Sequence, residues 1–288
     1  MPSLYGVESL ETPDLAPLLT RALAEDVGHG DITTAATVMP EQRGRAAITA
    51  KESRALFCGG ILLEQIFSLS GAEPLVESLA PEGAKLARGA KAAEIEGRLS
   101  GLLIGERTAL NFIQLMSGIA TATQEYVRAI KGTRARIVDT RKTHPGLRAI
   151  EKYAVRIGGG FNHRFGLDGG VLIKENHIAA AGSVRTALER ARAAAPHTLK
   201  IEIECEKLEQ VKEAFEAGAD VILLDNMPLG RIRQARKVVG ERVMLEVSGG
   251  VTLKNVRAIA DTGVDLISVG ALTHSARAID LSMEIEPA

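Results

Sequence analysis

The chain has 288 residues, 45% of them hydrophobic and 25% charged, with a formal net charge of −1. That length suits one large domain or two modest ones, and near-neutral charge supplies no field to draw the protein to nucleic acid or an anionic membrane. With no Trp, three Tyr and six Phe, it also lacks stacking platforms for single-stranded nucleic acid. Cys58 and Cys205 are the only cysteines, too few for a disulfide framework or a zinc cluster, which suits a reducing compartment. Residues 1–15 carry Glu8, Glu11 and Asp14 and no apolar run, so no secretory leader is read there, and no stretch of about 18 apolar residues occurs. The expectation is a cytoplasmic enzyme with no membrane or nucleic-acid partner.

In chain order, residues 15–26 carry an amphipathic helical pattern. Residues 44–57 and 75–97 hold β-like stretches broken by Gly and Pro, without helical spacers, which predicts an antiparallel α+β domain. A long helix at 100–115 leads out of it. The pattern then changes. Strands at 136–140, 171–174, 199–204, 220–225, 243–248 and 265–270 alternate with helices at 144–157, 183–195, 207–217, 229–239 and 253–261. Gly218, Gly240 and Gly263 stand where helix C-caps belong. Such alternation means a parallel α/β sheet, and about six or seven repeats suit a TIM-like βα barrel. A doubly wound open sheet is the alternative, weakened because no Gly-x-Gly-x-x-Gly follows the first strand. Residues 276–285 read as a helix, with Ile279 and Met283 four apart, capping the barrel or returning to the first domain. The predicted organisation is an N-terminal domain over 1–115, with a C-terminal helix at 276–288 packing on it, and a barrel over 116–275.

In a βα barrel, functional groups gather at the C-terminal ends of the strands. Here those positions carry Asp139-Thr140-Arg141-Lys142, Lys174-Glu175-Asn176-His177, Glu202 and Glu204, Asp225-Asn226, and Glu246 and Ser248. In Lys200-Ile201-Glu202-Ile203-Glu204 the isoleucines share one face and the glutamates the other. Helices cover the outside of a barrel, so the glutamates should point inward, where they need a cation or a partner such as Lys174 or Arg141. The glycine-rich loop at 158–167 adds His163 and Arg164. Arg141, Lys142, His163, Arg164 and Lys174 then form a basic pocket for a dicarboxylate or a polyphosphate, with arginine suited to planar carboxylates. Two late loops, Ser248-Gly249-Gly250 and Val269-Gly270-Ala271, precede helices and offer backbone amides to a phosphate. Glu204 and Asp225, on adjacent strands, suit Mg²⁺ or a developing positive charge. A Schiff-base aldolase with Lys174 as nucleophile is a rival reading, but it leaves Arg141 and Arg164 without a purpose. A non-catalytic anion-binding protein is another, and Glu204 and Asp225 would weaken it.

The runs Asp139-Thr-Arg-Lys-Thr-His-Pro-Gly-Leu-Arg148, Glu151-Lys-Tyr-Ala-Val155, Asn162-His-Arg164 and Leu172-Ile-Lys-Glu-Asn-His177 resemble the quinolinate phosphoribosyltransferase family. Glu106-Arg-Thr-Ala-Leu-Asn111, Leu224-Asp-Asn226 and Glu246-Val-Ser-Gly-Gly250 agree, so the likeness covers nearly the whole chain. Small departures are His144, Glu175 and Gly169-Gly170. The resemblance implies an N-terminal open sandwich beside an incomplete βα barrel. It implies a homodimer in which Arg107 crosses to the neighbour's site. The substrate contacts it implies are Arg107, Thr140 to Lys142, His163, Arg164, Lys174, Glu204, Asp225, Ser248 to Gly250 and Val269 to Ala271. Lys142, Lys174, Glu204 and Asp225 would be the catalytic groups, the two acids also holding Mg²⁺. The implied reaction joins quinolinate to 5-phosphoribosyl 1-pyrophosphate and yields nicotinate mononucleotide, pyrophosphate and CO₂ for NAD biosynthesis.

Overall fold

A computed structural model describes residues 15–288; the acidic N-terminal stretch, in which no leader is read, lies outside them at 1–14. The chain divides into two compact units, one of residues 1–121, 145–157 and 276–288, the other of 122–144 and 158–275.

The first unit begins with α1 (Ala16–Val27), whose Leu19 and Leu23, one turn apart, are its buried residues. Asp31 then caps α2 (Ile32–Thr37) by accepting from the Thr34 amide at 3.0 Å. Next come β1 (Arg43–Ala50), β2 (Ala55–Leu56), α3 (Leu63–Leu69), β3 (Leu75–Leu79), β4 (Lys85–Leu86) and β5 (Lys91–Arg98). The strands are antiparallel and alternate in burial, with Ala46, Ile48 and Ala50 of β1 fully buried between exposed or half-exposed neighbours. The helix α4 (Leu99–Ala129) continues well past the expected end at 115, because buried Ile113, Met116, Ile119 and Ala120 keep the helical spacing going.

The second unit carries the strand–helix alternation. Its first strand is β6 (Arg136–Val138). After it comes α5 (Arg148–Ile157), which groups with the first unit despite its place in the sequence. Then follow β7 (Val171–Ile173), α6 (Glu175–Ala181), α7 (Val184–Ala194), β8 (Ile201–Cys205), α8 (Leu208–Glu216), β9 (Val221–Asp225), α9 (Leu229–Val239), β10 (Met244–Ser248), α10 (Val256–Ala260), β11 (Leu266–Ser268) and α11 (Ala271–His274). The six strands are parallel in the order β6-β11-β10-β9-β8-β7. The first strand in sequence lies beside the last, as in a barrel, while β6 and β7 do not pair with each other. The barrel is incomplete, and a doubly wound sheet is ruled out. Ile201 and Ile203 of β8 are buried, and Glu202 and Glu204 occupy the alternate positions, as the sequence pattern predicts.

The helix expected at 276–285 is absent. The chain instead ends in β12 (Leu281–Pro287), antiparallel to β1 from Ala50↔Leu281 to Gly44↔Pro287. Leu281 and Met283 are buried two apart, so the governing period is two and not four. The outer edge of β1 presents unpaired amides and carbonyls, and a strand satisfies them where a single helical turn would not. Gly118 permits the return: a Cβ there would lie 2.1 Å from the Arg277 carbonyl oxygen.

Candidate active site

Asp139, just past β6, is completely buried and accepts from the His163 amide at 2.8 Å and from Asn162 Nδ2 at 2.6 Å. Phe161 pairs with Val138 in a parallel bridge. A buried carboxylate that accepts two bonds fixes the glycine-rich loop against the end of β6 and so places His163 and Arg164 beside Thr140, Arg141 and Lys142. On the other side of Lys142, its carbonyl accepts from Thr273 Oγ1 at 2.7 Å, which ties the β6 end to α11.

These groups open on a cavity of about 760 Å³, within the range of small-molecule sites. Its lining includes Thr140, Arg141, Lys142, His163, Arg164, Lys174, Glu204 and Asp225. It also includes Ser248, Gly249 and Gly250 from the loop after β10, and Val269, Gly270 and Ala271 from the loop after β11. Thus all the predicted site residues but one come together. The exception is Arg107, which is exposed on α4 in the first unit and does not line this cavity.

Within the cavity the charges fall into two groups. Lys174 Nζ bonds Glu204 Oε2 at 2.6 Å, the predicted partnership. Asp225 accepts from Asn226 Nδ2 at 2.8 Å. On the cation side, Arg164 donates from Nη1 to the Gly170 carbonyl at 2.8 Å, while its buried Nε has no hydrogen-bond partner. Burial, and then the neighbouring Arg141 charge, pull the Arg164 guanidinium below its ordinary pKa. An anion between the two arginines would relieve that repulsion. The amide donors come from the two glycine-bearing loops. The helices after them are short, five residues for α10 and four for α11, so local N–H groups act there and the helix dipole adds little. Gly249 has φ +87°, and a Cβ on it would meet the Asn226 side chain at 2.2 Å.

His163 departs from the cationic role predicted for it. Its Nδ1 accepts from the Arg164 amide at 2.8 Å, and its Nε2 faces Glu202 Oε2 at 3.0 Å. The hydrogen-bond network therefore assigns the single ring proton to Nε2, with both nitrogens engaged inside the protein. Lys174 is the N-cap of α6, and its amide donates to His177 Nδ1 at 3.0 Å, so His177 caps a helix that the sequence reading takes as the end of a strand. Asn226, Glu246 and His274 also line the cavity without having been singled out as site residues. Asn226 and Glu246 could have been found from their strand-end positions; His274 gives no such signal.

Two family models match the chain in succession: the N-terminal domain of quinolinate phosphoribosyl transferase over residues 31–117 and its C-terminal domain over 119–284. The chain belongs to the quinolinate phosphoribosyltransferase family. A probable nicotinate-nucleotide pyrophosphorylase (carboxylating) of Bacillus subtilis is 46% identical over 94% of this chain and 93% of its own length. The nicotinate-nucleotide pyrophosphorylase (carboxylating) of Mycobacterium leprae is 43% identical over 93% and 95%. Among solved structures, NadC from Streptococcus pyogenes superposes with a TM-score of 0.92 at 40% identity, covering 97% of this chain and 99% of that one. The quinolinate phosphoribosyltransferase architecture of an N-terminal sheet domain and an incomplete parallel barrel is therefore the architecture of this chain. No helix among the described residues is long and apolar enough to cross a membrane.

Proposed function

We propose that this enzyme transfers the phosphoribosyl group of 5-phosphoribosyl 1-pyrophosphate to quinolinate with loss of CO₂, giving nicotinate mononucleotide and pyrophosphate in NAD biosynthesis. The observation that carries this reading is one cavity, in a chain of this family, divided between cations and carboxylates. Arg141 and Arg164 hold the two adjacent carboxylates of quinolinate, supported by Thr140 and Lys174. The amides of residues 248–250 and 269–271 hold the 5′-phosphate. Lys142 and Lys174 neutralise the pyrophosphate as it leaves, so Lys174 exchanges its bond to Glu204 for one to substrate. Glu204 and Asp225 face the ribose carbon as it becomes cationic. They also fit Mg²⁺, which takes one or two carboxylates alongside substrate phosphates. When bound there, Mg²⁺ supplies positive charge against the pyrophosphate.

The quinolinate nitrogen attacks the ribose carbon and becomes a pyridinium. That positive nitrogen stabilises the electron pair left on the adjacent ring carbon when the carboxylate departs as CO₂, and the carbon then takes a proton from solvent to give nicotinate mononucleotide. The arginines contribute alignment, an effect worth roughly 7–11 kcal/mol when complete. The site belongs to a homodimer in which Arg107 serves the partner's cavity; its exposure on α4 supports this. The enzyme works in the cytoplasm, a location its two free, buried cysteines suit.

The test is to incubate the protein with quinolinate, 5-phosphoribosyl 1-pyrophosphate and Mg²⁺ and to look for nicotinate mononucleotide. Its formation is expected; no product, or reaction with nicotinic acid instead, overturns the assignment. Mixing inactive Arg107→Ala and Lys174→Ala proteins tests the crossover. A mixed dimer regenerates one intact site, so activity returns; a mixture that stays inactive rules the crossover out.

A further inference from the structure

Beneath the cavity, three side chains meet that the reaction scheme leaves unused. Glu202 Oε2 is 3.0 Å from His163 Nε2, and Glu246 Oε1 is 3.8 Å from the same nitrogen. Glu202 is 8% exposed and Glu246 1% exposed, yet Glu246 lines the cavity and so forms part of its floor. The Oε1 atoms of both glutamates are buried without a hydrogen-bond partner.

His163 has one ring proton to offer, because Nδ1 is occupied by the Arg164 amide. One N–H cannot serve two carboxylates. Two buried anions facing each other across a neutral ring would be a severe desolvation cost. A proton shared within the pair removes one charge and gives an orphaned oxygen a donor. The polar groups facing Glu246 are Glu202 from β8, His163 from the loop after α5 and Ser268 from β11. Its register partners, Leu223 on β9 and Leu266 on β11, are apolar. Burial first, and Glu202 next, push the Glu246 carboxyl up to about 8, against smaller opposing effects of His163 and Ser268.

We propose that Glu246 is the uncharged member of a carboxyl pair with Glu202 and, through His163, a positioning residue for Arg164. Glu202 is left to accept the hydrogen bond from His163 Nε2. His163 fixes the Arg164 backbone through Nδ1, and the floor under the arginines carries no second anion when quinolinate arrives. This inference rests on the quinolinate reading above and adds the group that tunes the anion side of that site.

The experiment compares wild type, Glu246→Gln and Glu246→Ala, with folding checked by circular dichroism. The KM values for quinolinate and for 5-phosphoribosyl 1-pyrophosphate, and kcat, are measured from about pH 6 to about pH 9.5. In wild type, kcat/KM for quinolinate falls about tenfold per pH unit above about pH 8, with the loss in KM. Glu246→Gln mimics the protonated acid and moves that decline upward by about one pH unit or more. At pH 7 Glu246→Ala raises the quinolinate KM about tenfold or more, while Gln holds the rise below about threefold; the KM for 5-phosphoribosyl 1-pyrophosphate stays put in both. Infrared difference spectra at pH 7 show a protonated-carboxyl band that Glu246→Gln lacks, a readout that needs no turnover. A wild type inactive on quinolinate but showing the band defeats the function reading and spares the carboxyl pair. The carboxyl pair itself falls if the band is missing, if Glu246→Gln keeps the wild-type alkaline decline, or if Gln and Ala raise KM equally. It falls also if purified protein holds one divalent ion per chain that Glu246→Gln loses.

Discussion

The two units use charge in opposite ways. In the first, Arg45 pairs with Glu77 at 2.9 Å, Lys51 with Glu284 at 3.4 Å and Lys91 with Glu94 at 2.6 Å, all on solvated faces of the sheet. Its sheet core is apolar, and the buried charges it has, Glu151 and Lys152, lie on α5. In the second, Asp139, Glu202 and Glu246 are buried among the barrel strands, and Lys174 and Glu204 pair at 2.6 Å in the cavity lining. Solvated pairs contribute little to stability, whereas buried carboxylates are costly and persist where a site needs them. The difference separates a unit built for folding from one that gives up stability for binding.

Substitutions can break or sharpen that contrast. Arg141→Ala should raise the quinolinate KM about 100-fold, near 3 kcal/mol for a lost desolvated charge contact, while the protein stays folded. An unchanged KM in the folded variant would remove Arg141 from the site. In the first unit the comparable loss falls on stability: Leu281→Ala, at a position 3% exposed on β12, should cost about 2–4 kcal/mol in urea unfolding. A cost below about 0.5 kcal/mol would mean that β12 adds little to the sheet.

Next in size is a pH effect. Glu246 titrates near 4.5 when unfolded and about 8 when folded, so between those values the folded protein holds a proton that the unfolded chain has lost. Stability from this group therefore falls as pH rises through that window. Glu246→Gln removes the effect, and its melting temperature relative to wild type should climb from acid to neutral pH. A constant difference would contradict the raised titration. The smallest effect is expected from Arg45→Ser on the first unit's sheet, within about 0.5 kcal/mol of wild type. A loss above about 2 kcal/mol there would erase the distinction between the two units.

Much of this was legible in the residues. The strand–helix beat from Arg136 onward has one physical solution, a parallel sheet with helices along its strands, and Ile201 and Ile203 against Glu202 and Glu204 declared which face was which. Strand ends then brought Arg141, Lys174, Glu204 and Asp225 to one cavity. Three features were not legible. Ile279 and Met283 fit a helix as well as the start of a strand, and the unpaired edge of β1, more than 200 residues earlier, decided between them. Lys174 lies directly after β7 and caps α6, because the helix follows the strand with no loop. His163 looked like one more cation, since a sequence does not show which neighbours claim its two nitrogens.

Sequence alone determined the strand–helix beat of the barrel, the family and the set of charged groups at the strand ends, because these depend on neighbours a few residues away. Tertiary structure decided which of those charges stay charged. Glu246 and Glu202 lie on different strands and His163 on a distant loop; their protonation depends on burial and on one another, and only folding brings the three to the same few ångströms.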